Sequence, residues 1–218
     1  MKIKYCILLL ISVLCMGVRA QTKQLGTMFL FENYLETFKK TSLPINLDRD
    51  AVFEIVNNGS RLHEINNSFK RFIPTELLKR NLNSTFKSLY LLPSRDSIVV
   101  TLVMQEYTDK HEMENARIYI ITYNKKNHFV DYQELAGVVV DFWEAFGEIS
   151  CDYAIVSKCY QYKMGNKVDM IKYFCFAEDI YGYYITNSGM VKKTKETKRN
   201  GYFECGETGY NYIKPMNN

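Results

Sequence analysis

After Phe86 the chain stops repeating its apolar residues at helical intervals and begins a series of extended, β-branched and aromatic runs separated by turn residues. This change of period constrains the fold more than any other feature of the sequence. Phe86 to Leu92 and Ile98 to Tyr107 flank Pro93-Ser94-Arg95-Asp96, a stretch whose residues favour a turn. Ala116 to Tyr123 and His128 to Leu135 form a second pair around Asn124-Lys125-Lys126-Asn127. Cys151 to Met164 and Val168 to Ala177 form a third around Gly165-Asn166, which supplies the positive backbone angles of a tight hairpin. Ile180 to Thr186, Met190 to Lys193 and Tyr202 to Cys205 extend the series, with Asn187-Ser188-Gly189 as a turn. The run Ile98 to Met104 is apolar at both parities, which predicts a central strand covered on both faces.

The N-terminal part reads differently. Met28, Phe31, Leu35 and Phe38 recur at helical spacing, with Thr27 in position to cap the start and Pro44 beyond the end. Asp48 is placed to cap a second short helix over Ala51, Val52, Ile55 and Val56 that stops at Asn57-Asn58-Gly59. Leu62, Ile65, Phe69 and Phe72 predict a third helix, broken at Pro74, and Leu77, Leu78 and Leu82 a fourth short one. Helices first and hairpins afterwards predict an α+β fold, with N-terminal helices (about 27–82) packed on a C-terminal antiparallel β-meander (about 86–213) in a single domain beginning at residue 21. A parallel nucleotide-binding sheet is disfavoured, because its strands must alternate with crossover helices.

Residues 1–20 read as a secretory signal: Lys2 and Lys4 give a basic start, Tyr5 to Val18 an apolar stretch, and Val18-Arg19-Ala20 a cleavage site before Gln21. The stretch is short against the roughly 20 apolar residues of a membrane span, so no transmembrane segment is expected after cleavage. Lys2, Lys4 and Arg19 account for three of the four excess charges in the formal net charge of +4, leaving a chain close to neutral. A nucleic-acid partner is therefore not expected, since phosphate neutralisation needs a basic stripe. One basic run survives, Lys192-Lys193-Thr194-Lys195-Glu196-Thr197-Lys198-Arg199, and its crowding of like charges reads as a solvated hairpin tip. Export places the chain in the periplasm or outside the cell, where Cys151, Cys159, Cys175 and Cys205 are candidates for disulfides. Cys151 and Cys159, on one extended segment, would be separated by roughly 26 Å and are not expected to bond each other.

The hairpin Ile120-Ile121-Thr122-Tyr123-Asn124-Lys125-Lys126-Asn127-His128-Phe129-Val130-Asp131, leading to Leu135-Ala136-Gly137, resembles a strand-turn-strand pattern of small exported bacterial β-rich proteins of unknown function. Where that pattern often has Gly after the lysine pair, this chain has Asn127, which also tolerates a left-handed turn. The resemblance implies an exported β-rich protein and carries no catalytic positions.

Catalytic signals are incomplete. His63-Glu64 and His111-Glu112 begin like a helical zinc-protease motif, but Asn67 and Asn115 stand where the second imidazole belongs. His128 reads as a strand residue beside a turn. No cysteine pair has the two-residue spacing of a redox or zinc site, and no glycine-flanked serine or phosphate-cradling loop occurs. Asp48-Arg49-Asp50 is explained by helix capping. The sequence thus implies no cofactor and no metal.

Tyrosine stands out instead: 15 of the 17 lie after residue 86, and Tyr160 with Tyr162, Tyr181 with Tyr183, and Tyr210 with Tyr212 sit two apart, on one sheet face in each pair. Tyr offers flat apolar area and a polar tip at low entropic cost. The leading expectation is an exported, non-enzymatic binding protein using this Tyr-rich surface for a protein or glycan. A secreted hydrolase with a non-contiguous histidine site, and an inhibitor or immunity-type protein neutralising an exported partner, are the alternatives.

Overall fold

The computed structural model describes residues 26, 28–80, 83–95, 97–108, 114–163, 174–206 and 209–216. The N-terminal part holds helix α1 (28–36), strands β1 (Lys39–Lys40) and β2 (Ile45–Leu47), helix α2 (Arg49–Asn57), strand β3 (His63–Glu64) and helix α3 (Thr75–Arg80). Then come β4 (Thr85–Leu91), β5 (Ile98–Thr108), β6 (Glu114–Asn124), β7 (Phe129–Val139), β8 (Trp143–Ile149), β9 (Ala154–Tyr162), β10 (Phe174–Ile185), β11 (Val191–Cys205) and β12 (Tyr210–Pro215). Consecutive strands from β4 to β12 pair antiparallel in one sheet; β1 adds parallel to β4, β3 antiparallel to β4, and β2 antiparallel to β8.

This corrects the α+β expectation. Of the described residues 57% are strand and 18% helical, and the N-terminal part is woven into the sheet instead of standing as a helical layer against a meander. The expected second helix is present, with Asp48 Oδ1 accepting from the Ala51 N–H at 3.0 Å. The expected third is not. His63–Glu64 pairs with β4, the Ile65 N–H donates to the Phe86 carbonyl at 2.7 Å, and Asn66 Oδ1 accepts from the N–H groups of Ser68 and Phe69. Asn66 thus diverts the backbone from a helix into a turn, leaving only a short 3₁₀ segment at Lys70–Phe72. Ile65, Phe69 and Phe72 still reach one apolar cluster, so their spacing reports a shared buried side without a continuous helix. The basic run is a second correction: it lies within strand β11, whereas the hairpin tip is Asn187-Ser188-Gly189, with Gly189 at φ +90°.

Two clusters hold the sheet. On one face of β5 and β6, Val103, Tyr119, Ile121 and Tyr123 meet Phe31, Tyr34, Phe72 and Leu77 from α1, the 3₁₀ turn and α3. The hydroxyls of Tyr34 and Tyr123 bond at 3.0 Å, and Tyr123 donates on to the Phe72 carbonyl. On the opposite face Val100, Leu102, Met104, Ile118 and Ile120 join Ile149, Ile155, Tyr183 and Ile185, so β5 is buried on both sides as its sequence predicts.

That second cluster exists because the sheet curls over. β7 pairs with β8 only at Gly137–Val139, and β2 takes its place against Gly147–Ile149. The tip joining β10 to β11 then docks on the start of the sheet: Thr122 Oγ1 donates to the Gly189 carbonyl at 2.6 Å, and the Val191 N–H to Asp131 Oδ2 at 2.9 Å. Strands β8 to β12 therefore form a rear leaf that adds buried residues to this cluster from both faces, Ile149, Ile155, Tyr183 and Ile185 from one and Phe146, Tyr160, Phe176, Phe203 and Tyr210 from the other. Among the described residues, no helix is long and apolar enough to cross a membrane, a statement that leaves strands aside.

Candidate binding face

One face of the rear leaf is aromatic because of register. Tyr162 lies opposite Phe176, Tyr160 opposite Glu178, Phe174 opposite Phe203, and Phe203 opposite Tyr212, and opposed residues share a face. Tyr210, at the start of β12, folds back over this face: its ring centroid lies 4.5 Å from Phe176, 5.0 Å from Tyr160 and 6.1 Å from Phe146. Such tilted and edge-on contacts suit ring quadrupoles and hold each ring in place.

At the centre stands Glu144 on β8, buried at 6% exposure. The Tyr162 hydroxyl donates to one carboxylate oxygen at 3.0 Å and the Tyr210 hydroxyl to the other at 2.9 Å. Arg49, the first residue of α2, brings Nε to 3.8 Å from the same carboxylate, within ion-pair range though not in a hydrogen bond. Its guanidinium lies over Phe53 at 4.8 Å. Burial, together with the neighbouring hydroxyl and carboxylate, pushes the Tyr210 hydroxyl well above its usual range. A second buried acid, Glu178, pairs with Arg199, whose guanidinium covers Tyr212 at 4.3 Å.

Two features of this face meet solvent. One is a groove of about 200 Å³ along the seam between β12 and the β2–β8 pair, floored by Phe146, Tyr160 and Tyr210 and rimmed by Asn46, Asp48, Glu148, Lys158 and Asn211. The other is the end of the leaf, where Phe142 is 61%, Val140 41% and Phe174 40% exposed. The Phe142 carbonyl accepts from the Tyr162 N–H, and Phe174 stacks on buried Phe176 with centroids 5.8 Å apart and planes at 12°.

The six singled-out tyrosines do not form one exposed row. Tyr160, Tyr162, Tyr210 and Tyr212 share the aromatic face, whereas Tyr181 and Tyr183 lie opposite Ser157 and Ile155 on the other face. Tyr160, Tyr183 and Tyr210 are buried, and Tyr162, Tyr181 and Tyr212 partly so. Glu144 and Arg49 are what sequence reasoning missed. The signal for Glu144 was the alternation in Trp143-Glu144-Ala145-Phe146-Gly147-Glu148-Ile149, an overlooked strand.

His63 and His128 are exposed, on β3 and beside the β6–β7 turn, and His111 lies outside the described residues. Among the described residues no group of three His, Cys, Asp or Glu side chains has metal-holding geometry. Cys151, Cys159 and Cys205 carry free thiols, and the side chain of Cys175 lies outside the described residues. Burial pushes the Cys159 thiol up to about 12, against a small opposing effect from Ser157. In the native protein at pH 8, Cys159 is expected to alkylate at least ~100-fold more slowly than exposed Cys151 and Cys205, and at their rate once unfolded. Peptide-resolved mass spectrometry reads this directly, and equal native rates would contradict the burial.

Comparison with protein-family models, curated proteins and solved structures finds no match to this chain.

Proposed function

We propose that the protein is an exported binding protein, without catalytic chemistry of its own, that docks a partner protein on the end of its aromatic leaf. Export rests on the basic start, apolar stretch and Val18-Arg19-Ala20 site of the leader. Docking rests on one observation: Phe142 and Phe174 are exposed while the groups behind them are fixed, Phe174 on buried Phe176 and the Phe142 carbonyl on Tyr162. Rigid aromatic anchors lose little freedom on binding, which is why such residues dominate interface energetics. Both oxygens of Glu144 are occupied by phenols, so its geometry favours holding the face over moving protons.

The test is cross-linked capture of the full chain from the exporting cell, compared with Phe142→Ser/Phe174→Ser. Loss of at least two strong aromatic anchors lowers recovery of a specific partner by ~30-fold or more while the melting temperature stays within a few degrees. Undiminished recovery would sink the reading. Intact mass of the bait reports whether cleavage follows Ala20. A captured hydrolase or toxin, inhibited by the purified chain, would make the role inhibitory.

The seam supports a second reading. An aromatic floor with amide, carboxylate and ammonium groups at its rim suits a single sugar ring, and the volume is of that order. Glycan-array binding that Lys158→Ala/Asn211→Ala abolishes and Phe142→Ser/Phe174→Ser spares would favour it.

A further inference from the structure

Strand β11 is unequally paired. From Val191 to Phe203 it pairs with β10, but β12 covers only Gly201–Cys205, so the outer edge of Lys192–Asn200 pairs with no strand among the described residues. Val191 gives its N–H to Asp131 of β7, and the nine extended residues beyond it, spanning ~30 Å, present their outward N–H and C=O groups to solvent. Every residue from Lys192 to Asn200 is exposed.

The charges along this edge are sorted by a bulge. The β10–β11 register shifts between Gly182 and Tyr183, which leaves Thr194 without an opposing residue. Lys192 opposite Tyr184 and Lys195 opposite Gly182 therefore share a face although three apart in sequence, and Arg199 opposite Glu178 continues the row. Gly182 permits this approach, since a Cβ there would come within 2.9 Å of Thr194 Oγ1. On the other face Lys193 and Lys198 are both neutralised by Glu196, while on the face of Lys192 and Lys195 Arg199 is held by Glu178. Lys192 and Lys195 form no ion pair among the described residues, so the unbalanced charge lies on one face at alternate strand positions.

We propose that the free edge of β11 receives an extended acidic segment of a partner polypeptide, added as a further strand with carboxylates at alternate positions facing Lys192 and Lys195. A second copy of the chain is a poor occupant, because its edge would place lysine against lysine. A neutral segment would leave both ammonium groups uncompensated. Main-chain bonds supply affinity in strand addition and alternate side chains supply selection, so an acidic alternating strand satisfies both.

Fluorescence anisotropy of the full chain tests this with a labelled decapeptide bearing glutamate at alternate positions and valine or threonine between. A peptide of the same charge with two of the intervening residues replaced by proline cannot complete the ladder. The expected result is saturable binding of the alternating peptide, at least tenfold weaker binding of the proline peptide, and at least tenfold loss in Lys192→Glu/Lys195→Glu with an unchanged circular dichroism spectrum. Amide shifts confined to residues 191–200 locate the site. Equal binding of the two peptides would reduce the edge to a surface that adsorbs any anion. Absence of binding at 100 μM peptide, or full binding by the double variant, would likewise overturn the proposal.

Discussion

Replacing Gly137 by alanine is expected to destabilise the protein by about 3–5 kcal/mol, combining about 1–3 kcal/mol of backbone strain with a comparable cost of overpacking. Gly137 has φ +154°, in the region L side chains avoid. An added Cβ would lie 2.5 Å from the Ala116 carbonyl oxygen and 2.9 Å from Arg117 Cα, both main-chain atoms that cannot rotate away. It would also press on Trp143, whose ring carries the Arg117 guanidinium at 4.6 Å. The residue sits where β7 contacts both β6 and β8, opposite Arg117 and Ala145, so a shift there moves the two leaves relative to each other. Against a total stability of about 5–15 kcal/mol this is a large fraction. Urea denaturation should show the midpoint falling sharply at similar m, while Gly26→Ala, where nothing lies within 4 Å of the added carbon, leaves it in place. A wild-type midpoint in Gly137→Ala would contradict the crossing as described.

Much of the sheet is legible in the sequence because its local signals and tertiary demands agree. The β6–β7 hairpin was marked by Asn127, which adopts φ +63°, and the β10–β11 turn by Gly189. The both-parity apolar run of β5 announced two covered faces. The N-terminal elements were misread for a physical reason: strands of two or three residues, such as β1 and β3, are too short to show a period and exist only because β4 offers them an edge. β11 was split in two because charged residues depress strand propensity, yet at an edge they are tolerated and protective.

The aromatic face shows the same boundary between local and non-local information. Spacing of two places paired tyrosines on a common face of one strand, and this holds for Tyr160 with Tyr162 and for Tyr210 with Tyr212. Whether two strands show their tyrosines on the same side depends on register, and a slip of one residue inverts the answer. Tyr181 and Tyr183 fell on the opposite side from Tyr160 for that reason. Nor does spacing reveal that Tyr210 folds back onto Phe176, since curling of the leaf is a property of all its strands together.

Glu144→Ala is expected to cost about 3–4 kcal/mol, because it removes the acceptor group that a buried and a partly buried phenol share. Tyr162 and Tyr210 would each lose a hydrogen bond to a charged partner, worth about 1.5–3 kcal/mol apiece before relaxation. Arg49 would lose its ion-pair partner but is less costly, since its side chain is 31% exposed and can turn to water. Glu144→Gln retains one acceptor oxygen, so about half of the loss should return. The decisive measurement is the cycle pairing Glu144→Ala with Tyr210→Phe. If the carboxylate and phenol act through each other, the two changes together cost less than their sum by about 1–2 kcal/mol. Independent effects would mean that the rings are set by packing alone. The distinction reaches function, because the Tyr162 hydroxyl hangs on the same carboxylate while its backbone anchors Phe142 and its ring lies 6.5 Å from Phe174. A coupled network makes Glu144→Gln weaken partner docking in step with stability, even though Glu144 is too buried to touch a partner itself.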